Sequence, residues 1–375
     1  MLVSKRWRAF YVLLMISASF PGCERGVDDS ITGDLFYRDG GNFKSIAVTI
    51  DSMYTFAGNV GENTEMFVGA YENATSFAVI KFPTPAEEVL DNLDKAIVKF
   101  ELFDIWRDGD AEYGIYHTND SWEDSTRIAA EDFLPYLGDP LDTVSITQSD
   151  TTGAYLDLWF TIDPEDANDL DNWTFLLRGM DGTKTMVGIG SRYSTYRPTI
   201  DFIAFNEDSE QDTTTANSSA SNYHFDTGYD PDGASDLEGI ISNADARSIV
   251  YTFPLPEALP ATAAINKFYL RLNINEQLIP EESVMTLRFQ RLTEPAVDYY
   301  NPETDTDSVI DITIQPGETT KDIDLTSYIA SWHHGNEVNK GILIQSRNTS
   351  SLPNHVVISP ADSLFVYYST LPEVE

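Results

Sequence analysis

Two adjacent histidines, His333 and His334, stand in the stretch "DLTSYIASWHHGNEVNKG" and account for two of the five histidines in 375 residues. Metal-binding histidines share a face at i, i+2 on a strand or i, i+4 on a helix, so direct neighbours suit shared chelation poorly. His117, His224 and His355 lie far away in sequence and could join them only through folding. Tyr328, Ile329 and Trp332 are spaced as one face of a short helix, which would leave both histidines at its exposed end. Calcium chemistry fits a different stretch. "DTGYDPDGASDLEG" offers Asp230, Asp232, Asp236 and Glu238 around a Pro and a Gly, and hard oxygen ligands on a turn are what calcium takes. The stretch departs from the EF-hand pattern, because Gly228 and Gly239 occupy the places of its first and last carboxylates. A structural calcium here and a solvated acidic loop are the two readings. The acidic segment 301–311 offers a weaker version of the same choice.

Catalysis leaves fewer traces. No Gly-x-Ser-x-Gly elbow occurs, and "GIGSRYS" lacks the third glycine and the Lys-Ser/Thr of a phosphate loop. With 61 acidic residues, carboxylate pairs at glycosidase separations arise by number alone, so a hydrolase or lyase stays a residual alternative to a non-enzyme. Sugar binding needs aromatic faces with hydrogen-bonding groups beside them. "DIWRDGD" with Trp106 and Arg107, and "SRYSTYRP" with Arg192, Tyr193 and Tyr196, mix those types in loop-like contexts. The competing reading has Trp106 closing a core and the tyrosines covering strand ends.

The elements that would position these residues read as strands. Short apolar runs such as "FAVIKF", "AIVKFELFDIW", "AYLDLWFTI" and "TIDFIAF" are bounded by Gly, Pro, Asn and Asp and alternate with period two. "PAEEVLDNLDKA" predicts a turn or two of helix. Between the strand-rich halves, residues 206–222, "NEDSEQDTTTANSSASN", contain no large apolar residue and read as a flexible linker. Beyond it the order of elements returns. "FAVIKFPTP" is answered by "SIVYTFPLP" and "DKAIVKFELFD" by "AAINKFYLRLN", with Phe82 and Phe253 171 residues apart and Phe100 and Phe268 168 apart. The chain is therefore predicted to be all-β, two tandem antiparallel β-sandwiches of jelly-roll type. The expected boundaries are 46–205 for the first sandwich and 223–375 for the second.

At the N-terminus, Lys5, Arg6 and Arg8 precede a twelve-residue apolar run, too short for the roughly 20 residues that span a bilayer. Residues 1–22 therefore read as a cleaved export signal, followed by a spacer over 23–45. Cys23, the single cysteine, excludes an internal disulfide and a cysteine metal site. "FPGCERG" resembles a bacterial lipoprotein signal, with Cys23 as the acylated N-terminus; Glu24 after it implies the outer membrane or cell surface. A formal charge of −38 opposes nucleic acid as a partner and leaves the lipid anchor as the link to a membrane.

The paired segments "VIKFPTP", "KAIVKFELFD", "DSWEDST", "DLTSYIASWHHGNEVNKGILI" and "SPADSLFVYY" resemble the DNRLRE-type β-sandwich domains, which are similar to carbohydrate-binding modules and accompany secreted polysaccharide-degrading enzymes. The second copy has no clear Trp-Glu segment, and the first has "DLWFTID" where the family pattern has Asp-Leu-Thr. The resemblance implies a non-catalytic, lipid-anchored surface protein that binds polysaccharide or another glycan. The alternative is a structural or adhesive surface protein without sugar binding.

Overall fold

The computed structural model describes residues 42–370, except 59, 61–62, 108, 119–121, 148–155, 207, 209, 231–235, 281–282, 296–301, 348–352 and 362–363. The expected export signal, Cys23 and most of the expected spacer lie outside the described residues. No helix among the described residues is long and apolar enough to cross a membrane.

The fold is two curled, wholly antiparallel sheets, each closed around its own core. Module 1 runs β3 (Glu65–Tyr71), β4 (Ala74–Lys81), β5 (Leu93–Arg107), β6 (Ala111–His117), β7 (Asp142–Ile146), β8 (Leu156–Ile162), β9 (Thr174–Gly179), β10 (Thr185–Gly190), β11 (Thr199–Phe205), β12 (Gln211–Asn217) and β13 (Ala220–Asp226). Module 2 runs β14 (Gly239–Ser242), β15 (Arg247–Thr252), β16 (Ala264–Leu278), β17 (Met285–Leu292), β18 (Thr304–Ile314), β19 (Thr320–Asp324), β20 (Ile342–Ser346), β21 (His355–Pro360) and β22 (Leu364–Thr370). Two further strands, β1 (Asn42–Val48) and β2 (Ser52–Ala57), precede module 1 in the chain.

The strand orders match one for one. Module 1 reads β12-β11-β5-β10-β3-β4-β9-β6-β7, with β13 beside β4 and β8 beside β5. Module 2 reads β1-β22-β16-β21-β14-β15-β20-β17-β18, with β2 beside β15 and β19 beside β16. The N-terminal pair β1–β2 thus fills in module 2 the places that β12–β13 fill in module 1.

This changes two sequence-based boundaries. Residues 206–222 are no linker: they hold β12 and the start of β13, which complete the first sandwich. Residues 46–57 belong to the second sandwich, not the first. The polar run was misread because β12 is an edge strand whose residues are nearly all exposed, so burial imposes no apolar alternation on it. Its Thr, Asp and Asn side chains also discourage further strand addition at that edge.

The long strands β5 and β16 organise each module. Along β5, Ala96, Val98, Phe100 and Leu102 point into the core, where Phe100 meets Phe160 edge-on at 6.0 Å. β11 and β10 pair with successive halves of β5 while β8 pairs with its middle, an arrangement repeated by β22, β21 and β19 on β16. Gly69 lets β3 approach β10: its φ is +110°, and a Cβ there would sit 2.2 Å from the Thr185 carbonyl oxygen. The expected helical turns form as α1 (Glu87–Asp91) and α3 (Thr326–His333), and a further turn, α2 (Pro164–Asn168), precedes β9. Leu93, inside the stretch that predicts the helical turn, instead begins β5.

The modules meet through a mixed junction, in which Ala244 and Leu278 of module 2 pack with the module 1 core and polar groups bridge beside them. The β14–β15 turn carries Asp245, 3% exposed, which is ion-paired to Arg127 of module 1 and to Arg247. The Tyr223 hydroxyl donates to the Ala244 carbonyl, and the Asn222 amide donates to the Thr126 carbonyl at 2.6 Å within module 1. Burial pushes the Asp245 carboxyl up, against the lowering pull of the two arginines.

Candidate functional site

The residues singled out by sequence do not converge. Trp106 is 9% exposed and packs on Phe67 at 5.4 Å between ring centres, so neither of its faces is open for stacking. Trp106 lies beyond the register shift between β5 and β10, and there its ring turns into the core beside Phe67. Arg107 ends the same strand, and its side chain lies outside the described residues. Asp232 is also outside them. Among the described residues, no three metal-capable side chains cluster, so Asp230, Asp236 and Glu238 are not brought together as a ligand set. The Glu238 carboxylate instead accepts hydrogen bonds from the Asn275 amide and, at 3.4 Å, the Tyr229 hydroxyl. Burial first, then the Glu238 charge, pushes the Tyr229 hydroxyl up to about 12.

The histidine pair ends α3 as expected, with Tyr328, Ile329 and Trp332 buried. His334 is exposed and His333 half-buried, with ring centres 5.2 Å apart. Tyr328 is held in place by donating to the carbonyls of Phe289 and Ser308 at 3.0 and 2.7 Å.

The third candidate group does assemble. Between β10 and β11, Arg192 pairs with Asp124, donates to the Ser219 carbonyl at 2.8 Å and lies 4.4 Å from the centre of the Tyr193 ring. Tyr193 and Tyr196 are 44% and 42% exposed. The guanidinium is thus fixed on one side while the tyrosines project.

A more open platform lies on the outer face of β8, β5, β11 and β12. Strand register aligns Trp159, Lys99, Thr199 and Asn217 in one row and Thr161, Ile97, Asp201 and Thr215 in the next. Trp159 is 54% exposed, with the Lys99 ammonium 4.9 Å from its ring centre. Lys99 also pairs with Asp201, which accepts from the Thr215 hydroxyl at 2.6 Å. Burial pushes the Asp201 carboxyl up, but the hydrogen bonds from Lys99 and Thr215 outweigh it and hold the group below the usual range. The face therefore presents an aromatic ring beside an anchored cation, an anchored carboxylate and a row of hydroxyls. Sequence reasoning missed Trp159, although "LDLWFTI" carried the signal: Leu158, Phe160 and Ile162 take the buried phase, leaving Trp159 between Asp157 and Thr161 on the polar one.

Module 2 repeats the chemistry on its equivalent face. Lys267 stands where module 1 has Lys99, with its ammonium 4.2 Å from the Tyr269 ring centre, and Arg271 makes two 2.7 Å hydrogen bonds to Asp322. Phe365 and Tyr367 on β22 are 39% and 46% exposed. A concavity of about 480 Å³ also opens on module 2, beside Asp305, Ser308, Glu337 and Lys340. Its deepest cation, Arg291, is already neutralised by Asp305 and Glu337. On module 1, burial, then the charge of Asp104, pushes the Glu65 carboxyl up. No family model, no curated protein and no solved structure matches this chain.

Proposed function

We propose that this protein is a non-catalytic, exported lipoprotein that binds polysaccharide or another surface glycan through the outer β8–β5–β11–β12 face of module 1. The observation that carries the reading is Trp159, half-exposed on the outer sheet face with Lys99, Asp201 and Thr215 fixed around it. A sugar ring offers an apolar face to an aromatic and equatorial hydroxyls to flanking charged and hydroxyl groups. The sequence resemblance to DNRLRE-type domains points the same way, and the Arg192–Tyr193–Tyr196 group would serve as a second contact. Acylation at Cys23 would tether the acidic chain to the outer membrane or cell surface, since two or more acyl chains anchor stably at about 0.8 kcal/mol per buried methylene.

A glycan array and an insoluble-polysaccharide pull-down test this. Wild type should bind, and Trp159→Ala should weaken binding by roughly tenfold, equivalent to about 1.4 kcal/mol. Binding to no glycan would overturn the reading, as would reducing-sugar release by the wild type that Glu65→Gln abolishes. Cys23→Ser should move the protein out of the membrane fraction; unchanged fractionation would refute the anchor. A second reading, a structural or adhesive surface protein, draws on the way β1–β2 closes module 2, a strand-pairing arrangement suited to assembly.

A further inference from the structure

Module 2 is completed by strands that come from the other side of module 1 in the chain. β1 pairs with β22 along seven residues, from Asn42 opposite Thr370 to Val48 opposite Leu364, and β2 pairs with β15 from Ser52 opposite Thr252 to Ala57 opposite Arg247. These ladders are backbone hydrogen bonds, which any copy of the same segment can make. The described side chains add less, among them the Ser52 hydroxyl, which hydrogen-bonds the Thr252 hydroxyl at 2.5 Å. Among the described side chains of β1 and β2, Val48 alone is buried, with Ile46 and Met53 partly covered.

The connection on to module 1 is pinned just beyond the pair. Val60 is 4% exposed in the module 1 core, and the Asn63 amide donates to the Tyr223 hydroxyl at 3.2 Å. The Gly58 amide still donates to Ala246 of module 2 at 3.0 Å. The hold of module 2 on this segment thus extends to Gly58, and Val60 already packs in module 1. Most of the module 2 core sits on its own strands and stays if β1–β2 leaves, with Val48, Ile46, Ile50 and Met53 the described core contacts that go with the segment. What departure exposes is the edge of β22 and the edge of β15, two rows of unpaired amides and carbonyls that accept a strand of matching register. Beside the first edge stand Phe365 and Tyr367, already half-exposed.

We propose that β1–β2 is an exchangeable clasp, and that the β1–β2 segment of a second copy of this chain pairs with β22 and β15 of module 2 to join copies through strand exchange. Native contacts made within one chain and between two chains are then the same contacts, so local protein concentration selects between them. Tethering many copies at one surface would raise that concentration.

Facing cysteines report the exchange. Ser45 lies directly opposite Tyr367, a separation within disulfide reach for antiparallel neighbours. On a Cys23→Ser background, which removes the chain's single native thiol, one chain carries Ser45→Cys and another carries Tyr367→Cys. Mixed at high concentration and then oxidised, they should form a disulfide-linked species of twice the chain mass, whose yield rises with concentration and incubation time. The double variant alone, dilute, should close within the chain, and closing it before mixing should abolish exchange with a labelled partner. Three results would overturn the proposal. One is no mixed dimer above that of a Lys184→Cys partner placed off the pairing register. Another is a mixed-dimer yield independent of concentration. The last is failure of the double variant to cross-link, which would deny the pairing itself.

Discussion

The two modules share a strand order but are closed by different means. In module 1, β13 lies beside β4 and buries Tyr223 and Phe225, each 1% exposed, against Phe67 at 5.9 and 6.0 Å. At the matching places in module 2, β2 offers Thr55 and Ala57 to β15. The lost volume is supplied from the other side of the ladder: Ile249 and Tyr251 stand where module 1 has Ala78 and Ile80. A close-packed core needs the space filled, but not by a particular strand. Module 1 therefore depends on the side chains of its closing strand, whereas module 2 keeps its core residues on its own strands and takes little more than backbone pairing from β2.

Removing the aromatic payload of β13 should give the largest effect. Tyr223→Ala deletes a buried ring and the hydroxyl that reaches Ala244, and should destabilise module 1 by about 3–5 kcal/mol in urea unfolding. Thr55→Ala, its counterpart in β2, should change stability by no more than about 0.5 kcal/mol; equal losses at the two positions would erase the contrast.

The junction comes next. Asp245→Ala leaves Arg127 and Arg247 without their shared carboxylate, and since both guanidiniums keep about a third or a quarter of their exposure, the loss should fall near the low end for a broken buried pair, about 2 kcal/mol. The modules should then unfold as two separate transitions, resolvable by calorimetry.

Acid should strike module 2 through His355. Burial, with the Arg247 charge beside it, lowers the imidazole to about 4 from 6.5, so the folded state holds it neutral. Its contribution is fully present above pH 6.5 and is lost as pH falls through 4, at about 1.4 kcal/mol per pH unit between those values. At pH 5 the loss approaches about 2 kcal/mol. Asp245, whose carboxyl is pushed up, has the opposite slope, since its protonated form is favoured by folding. The difference between wild-type and His355→Gln stability curves isolates the histidine; parallel curves from pH 7 to 4 would contradict its neutral burial. A modest effect should come from Lys99→Ala, which removes a partly buried cation from the Trp159 ring and from the Asp201 carboxylate and should cost about 0.5–1 kcal/mol of stability.

Much of this architecture was legible in the chain. The period-two runs located most strands, the twice-met "KF" segments located both central strands, and the Tyr328–Ile329–Trp332 spacing located α3. The candidate site was less legible. Trp106 and Trp159 are equally aromatic, and only the phase of each along its strand separates a core ring from a surface one. For Trp159 that phase was readable from its neighbours, while Trp106 sits beside the register shift between β5 and β10, where a simple alternation breaks.

Composition and periodicity determined that this acidic chain is all-β and is built twice from one plan, because burial on one face of a strand writes itself into every second residue. Partner choice does not write itself that way. The polar β12 carries no apolar signal at a sheet edge, and nothing local in β1–β2 says that it crosses module 1 to close module 2. Backbone hydrogen bonds are the same for every sequence, so which edges meet was left to the packing of the whole molecule.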